Sequence, residues 1–207
     1  NPGVDVGIHL AITSEWDNVK WWPVSDCKSI TDPDGYFYPM IWPNKNYTNR
    51  ALLENKFTAA DVEKEFRAQI ELALKKIPRI THISGHMGCT NMNDSVRAIT
   101  KRLAQEYKLD INMEGVKNVS YDGAHKTSAE KKQSFINMLN KLQPGNTYLF
   151  VEHPGLNTPE LQAISHIGYE NVAEDRQGVT DIWTDKDIMA LIKQKGIQLI
   201  SYKDLKK

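Results

Sequence analysis

Short apolar segments alternate with helices that carry their own start and stop signals, and this alternation limits the fold more than anything else in the chain. The strand candidates are Val4–Ile12, Arg79–Ile83, Leu109–Met113, Thr147–Val151 and Ile197–Ser201, each apolar or alternating over a few residues. Thr58-Ala-Ala-Asp61 opens a helix with Val62, Phe66, Ile70, Ala73 and Ile77 on one face, stopped by Pro78. Thr127-Ser-Ala-Glu130 opens another, carrying Phe135, Leu139 and Leu142 ahead of Pro144-Gly145. Thr184-Asp-Lys-Asp187 opens a third, with Ile188, Leu191 and Ile192, ending at Gly196. All three starts have the capping-box form, in which side chains satisfy free helix N–H groups. A helix around Asp94–Tyr107 (Val96, Ile99, Leu103) completes the set. Such alternation predicts an α/β fold with a mainly parallel sheet. No internal repeat or Gly/Ser linker interrupts it, so residues 1–207 read as one domain.

One stretch breaks the rhythm. Residues 13–57 are long, weakly periodic and rich in Trp, Tyr, Pro, Asn and Asp. Connections of that length are uncommon in compact domains unless they serve a site. Trp16, Trp21, Trp22, Tyr36, Phe37, Tyr38 and Trp42 crowd it. Their faces suit stacking on sugar rings, and equally suit pinning the loop to the core. We take Trp16, Trp21 and Trp22 as candidate substrate-binding residues.

Charge and cysteine narrow the function classes. The 207 residues carry 26 basic and 26 acidic side chains, so nothing favours nucleic acid as a main partner. No apolar run approaches the ~20 residues of a membrane-spanning helix. Cys27 and Cys89 form no C-x-x-C pair and read as ordinary thiols, or as one bridge in an exported protein. No G-x-S-x-G elbow, phosphate-binding loop or G-x-G-x-x-G motif is present.

Three histidines occupy equivalent positions. His9 ends Asp5-Val-Gly-Ile-His-Leu10, His86 follows Ile80-Thr-His-Ile-Ser-Gly85, and His153 follows Tyr148-Leu-Phe-Val-Glu152 ahead of Pro154-Gly155. In parallel α/β folds the C-terminal strand ends gather at one face. Histidines delivered there suit a metal or acid–base centre, because imidazole ligates divalent ions and titrates near neutral pH. His82, alternating with Ser84 and His86 on an extended chain, is either a partner of that centre or a packed interior residue. His125 and His166 read as surface residues.

Taken in order and spacing, Asp5–Leu10, Thr81-His-Ile-Ser-Gly-His-Met-Gly88 and Glu152-His-Pro-Gly155 resemble the motifs of the YdjC-like (ChbG-type) carbohydrate deacetylases, relatives of NodB-type polysaccharide deacetylases. Glu63–Ile70 and the tail Gly196–Leu205 are similar to the family as well. The resemblance implies a distorted, incomplete (β/α) barrel and a hydrolase that removes acetyl groups from N-acetylated sugars or oligosaccharides with a divalent metal, Mg2+ or Zn2+. It assigns His9 and His86 as metal ligands and His153 as the catalytic acid. Two departures stand out. Ser84 occupies a position where the family usually has Asp, and nothing before His9 matches the family's Asp-Asp strand. The expectation is therefore a native protein extending upstream of Asn1, and the opening without Met fits a removed leader and export. A homodimer is compatible with this reading. Two other readings stay open: a non-catalytic carbohydrate-binding relative, and a different metal-dependent hydrolase on the same barrel.

Overall fold

The computed structural model describes residues 3–206, so the Asn1-Pro2 opening lies outside the described residues. The chain, read above as one domain, divides into two compact units: one runs to Asn112 and recovers the tail from Ser201, and the other is Met113–Ile200.

In the first unit, β1 (Gly7–Leu10) pairs in parallel with β2 (His82–Gly85), setting His9 opposite Ser84 and Leu10 opposite Gly85. Helix α1 (Ala59–Lys76) lies between them in sequence and α2 (Asp94–Glu106) follows. The Thr58 side chain accepts from Asp61 N–H, and Asn93 caps α2 by accepting from Val96 N–H at 2.9 Å. Val62, Phe66 and Ile70, spaced to share one face, are fully buried; Ile77, expected on that face, is exposed beyond the helix end.

A second stripe on α1 is polar and does different work. Asp61, Glu65 and Gln69 recur every four residues. Asp61 accepts from Ser29 N–H at 2.9 Å. The fully buried Glu65 accepts from Val24 N–H, Ser25 N–H and the Ser25 hydroxyl at 3.0, 2.9 and 2.7 Å. Gln69 brackets Ala11, donating to its carbonyl at 2.7 Å and accepting from its N–H at 3.1 Å. The long irregular stretch 13–57 is thereby tied to α1, and its Ile30, Phe37, Ile41 and Leu52 enter the core with Leu10 and Phe66. Short 3-10 turns at Lys28–Ile30 and Leu52–Glu54 are its only helical pieces. Cys27 and Cys89 are buried and unbridged, and burial pushes both thiols up to about 12.

His82 resolves as a packed interior residue. A Cβ on Gly7 would lie 2.2 Å from its ring, and Tyr202 stands 4.3 Å away between ring centroids. Thr81 Oγ1 meets its Nδ1 at 2.8 Å, and Asp5 accepts from the Thr81 hydroxyl and from Lys203 N–H.

In the second unit, β3 (Val116–Val119) pairs in parallel with β4 (Thr147–Phe150). Helix α3 (Ser128–Lys141) starts with a complete capping box between Thr127 and Glu130. Helices α4 (Pro159–Gln162), α5 (Val172–Thr184) and α6 (Lys186–Gln194) follow. Phe135, Met138, Leu139, Ile182, Ile188 and Ile192 form the core. The start expected at Thr184 falls one residue later: Thr184 ends α5, and Asp185 caps α6 by accepting from Asp187 and Ile188 N–H.

Two expected strands do not form. Leu109–Met113 is an extended connection whose Leu109 plugs the first core, and Ile197–Ser201 leaves Leu199 and Ile200 exposed. A strand exists through its hydrogen-bonded ladder, and among the described residues neither segment has a ladder partner. The described strands make two separate parallel pairs in a mixed α/β fold. Among the described residues no helix is long and apolar enough to cross a membrane.

Removing the fully buried Glu65 carboxylate leaves the Val24 and Ser25 N–H groups of the long loop without their acceptor. Glu65→Ala is expected to cost about 3 kcal/mol in urea unfolding, far more than an exposed Glu→Ala change on the same helix. Acid acts through His82. Burial holds its imidazole below the ordinary value of 6.5, against the pull of Asp5. The unfolded chain therefore takes up that proton first, and this stability, complete above pH 6.5, drains as pH falls toward the lowered folded value. Asp5 adds a later loss: burial opposes it, but the Thr81 hydroxyl and Lys203 N–H still hold its carboxyl below 3.8. The unfolding midpoint should fall between about pH 7.5 and about pH 5.5, and fall less in His82→Gln.

Candidate functional site

The parallel register of β1 and β2 delivers two of the three histidines to one place. His9 sits one residue before the end of β1, and His86 directly follows β2. Their ring centroids are 5.4 Å apart with planes at 74°. His9 is exposed and its Nδ1 meets Ser84 Oγ at 2.8 Å, so Ser84 holds the first histidine across the ladder.

His86 opens a tight segment, His86–Asn91, in which Met87 and Gly88 adopt left-handed backbone angles (φ 47° and 70°). Gly85 is required there: a Cβ would stand 2.3 Å from Thr90 Oγ1. Beneath the turn, Cys89 donates through its thiol to the Leu10 carbonyl at 3.2 Å. His86 Nε2 meets Glu15 Oε1 at 3.0 Å. Glu15 is only 4 % exposed. Sequence reasoning passed over it, because nothing in its neighbourhood marks a carboxylate whose partner lies 71 residues away.

The donor chemistry suits a divalent ion on His9 and His86. Two imidazoles on one tetrahedral ion at ~2.0 Å per bond place their ring centroids about 5 Å apart. The observed 5.4 Å separation fits that geometry. Among the described residues no group of three or more His, Cys, Asp or Glu side chains stands ready to hold a metal. The pair therefore fits as two ligands of such an ion, with Glu15 turned to His86 instead.

The tryptophans divide by environment. Trp21 is half-buried against the core, its indole N–H donating to the Thr13 carbonyl at 2.7 Å. Trp16 is half-buried beside Glu15 in sequence. Trp22 is 65 % exposed and leans on Tyr36, 5.6 Å between centroids. Trp42, 47 % exposed, lies across Gly88, whose added Cβ would meet its ring at 3.0 Å. An exposed indole thus rides on the His86 turn.

His153 belongs to the second unit, exposed just past β4, with its N–H on Glu152 Oε2 at 3.1 Å. The following Gly155 lies so close to α4 and α5 that a Cβ would stand 2.8 Å from Leu161 of α4 and 3.2 Å from Arg176 of α5. Gly155 N–H donates to the Arg176 carbonyl at 3.1 Å, and Thr180 donates to the Gly155 carbonyl at 2.8 Å. Helix α5 is held in turn by Lys131, 2 % exposed, which pairs with Asp175 at 2.8 Å while its stem covers Gly178. His125 is exposed and stacks on Tyr121, and His166 is half-buried.

The chain is 29 % identical over 185 residues to a protein named carbohydrate deacetylase from Thermus thermophilus, an alignment covering 78 % of this chain and 66 % of that one. It is 27 % identical to a protein of the same name from Listeria monocytogenes, covering 99 % of this chain and 80 % of that one. A crystal structure of an Enterococcus faecalis protein assigned to cellobiose-phosphate cleavage superposes with a TM-score of 0.71 at 20 % identity, over all of this chain and 79 % of that one. This last likeness concerns the fold. The model of the YdjC-like protein family matches residues 1–194, and the chain belongs to that family.

Proposed function

We propose that this protein is a metal-dependent hydrolase that removes acetyl groups from N-acetylated sugars or oligosaccharides. The observation that carries the reading is the His9–His86 pair on adjacent parallel strand ends, in a chain whose relatives are named carbohydrate deacetylase. The fold class proposed with it is the distorted, incomplete (β/α) barrel that the family resemblance implies.

His9 and His86 would hold the ion, and two nitrogen donors favour Zn2+ over Mg2+. A divalent ion bound there supplies Lewis-acid polarisation of the acetyl carbonyl. Ser84 fixes the His9 ring, so that ligand arrives already oriented. His153 is assigned the proton for the departing amine nitrogen, a poor leaving group until protonated. The exposed face of Trp42 offers an apolar platform for the sugar ring next to His86, ahead of the half-buried Trp16 and Trp21 and alongside Trp22.

Acetate release from N-acetylated chito-oligosaccharides tests the reading. Activity should vanish with chelator and return with Zn2+, and His9→Ala or His86→Ala should abolish both activity and bound metal. Acetate release indifferent to chelator and to both substitutions would overturn it. His153→Ala should lower kcat at least ~100-fold with bound metal unchanged. Trp42→Ala should raise KM about fivefold, the equivalent of ~1 kcal/mol of ring contact, with kcat nearly unchanged.

A further inference from the structure

Glu15 is a buried carboxylate that the chemistry above does not use. Burying a carboxylate costs several kcal/mol unless it is hydrogen-bonded, so its place calls for a reason. The backbone around it is held from several directions. Ser14 N–H donates to the Tyr38 carbonyl at 3.0 Å, and the Ser14 hydroxyl accepts from Trp21 N–H at 3.1 Å. The Ser14 carbonyl accepts from Lys20 Nζ at 2.9 Å, and Trp21 Nε1 clamps Thr13. Thr13, Ser14 and Glu15 are all buried. The carboxylate therefore reaches His86 from a fixed backbone rather than from a mobile loop.

We infer that Glu15 is a positioning residue that selects the tautomer of His86 and, through it, the nitrogen presented to the metal. The reasoning is one of proton accounting. A carboxylate can only accept, so the 3.0 Å contact requires the proton on Nε2 of His86. In the neutral ring the lone pair is then on Nδ1, and Nδ1 is the nitrogen left to ligate. Glu15 meets His86 at Nε2, and its assigned role is to hold that ring. A carboxylate on the far nitrogen of a ligating histidine fixes the ring and raises its basicity, and removing one costs 10–100-fold in metal affinity.

The inference rests on the proposed role of His86 as a metal ligand, and the test separates the two. Nitrogen-15 NMR of the metal-free full chain should show His86 protonated at Nε2, and Glu15→Ala should bring it to a mixture of tautomers. Equilibrium dialysis should show Zn2+ bound about 10–100-fold more weakly by Glu15→Ala. Glu15→Gln, which keeps an acceptor oxygen without the charge, should retain the tautomer and lie between the two in affinity, and it serves if the alanine variant fails to fold. An unchanged tautomer in Glu15→Ala, whether or not Zn2+ binding weakens, a changed tautomer there with unchanged affinity, or wild-type affinity in Glu15→Gln would overturn the positioning role. Wild-type protein that binds no Zn2+ would overturn it together with the metal reading. Protein that binds Zn2+ in the Glu15-dependent manner but releases no acetate would overturn the proposed function alone.

Discussion

The polar stripe on α1 is the constraint on which the first unit depends. Its three side chains, Asp61, Glu65 and Gln69, meet backbone groups that no ladder serves, at Ser29, at Val24 and Ser25, and at Ala11. An irregular segment inside a fold carries donors and acceptors that must be satisfied somewhere. Glu65 gathers several of them onto one buried carboxylate. The apolar stripe Val62, Phe66 and Ile70, one residue along, packs the same helix into the core. One helix thus supplies hydrophobic anchorage and the hydrogen bonds of the loop that covers it.

That arrangement is what makes a pre-positioned site affordable. The 13–57 segment is not decoration: it contributes Ile30, Phe37, Ile41 and Leu52 to the core and carries Glu15 to His86. The histidines come from the regular part of the unit, where parallel pairing places His9 against Ser84 and leaves His86 just beyond. The ladder and the loop therefore meet at one imidazole. Left-handed backbone at Met87 and Gly88 turns the chain away at once and opens the space that Trp42 covers.

The second unit treats its histidine motif in a comparable way with other means. Gly155 allows the chain after His153 to touch α5, and two hydrogen bonds hold it there. Helix α5 is fixed by the buried Lys131–Asp175 pair, with Tyr169 donating to the other Asp175 oxygen at 2.7 Å. Burial, with Asp175 adding to it, pushes the Tyr169 phenol up to about 12, which keeps it a donor across the neutral range.

Helix starts were legible because a cap is a local event: Thr58 and Thr127 satisfy N–H groups three residues away. Even the displaced start at Asp185 missed by a single residue. Strands were less legible, because Leu109–Met113 and Ile197–Ser201 have strand-like composition but, among the described residues, no partner to pair with. The histidine motifs pointed to a shared site through their position after apolar segments, and the pairing of β1 with β2 brought two of them together. Glu15 and the perch of Trp42 on Gly88 had no signature in the sequence. The sequence by itself determined the α/β alternation, the helix caps, the family and the histidines; the tertiary structure alone decided which carboxylate serves which imidazole and which indole stays exposed. Caps and periodicity act over a few residues, whereas those contacts join segments tens of residues apart through folding.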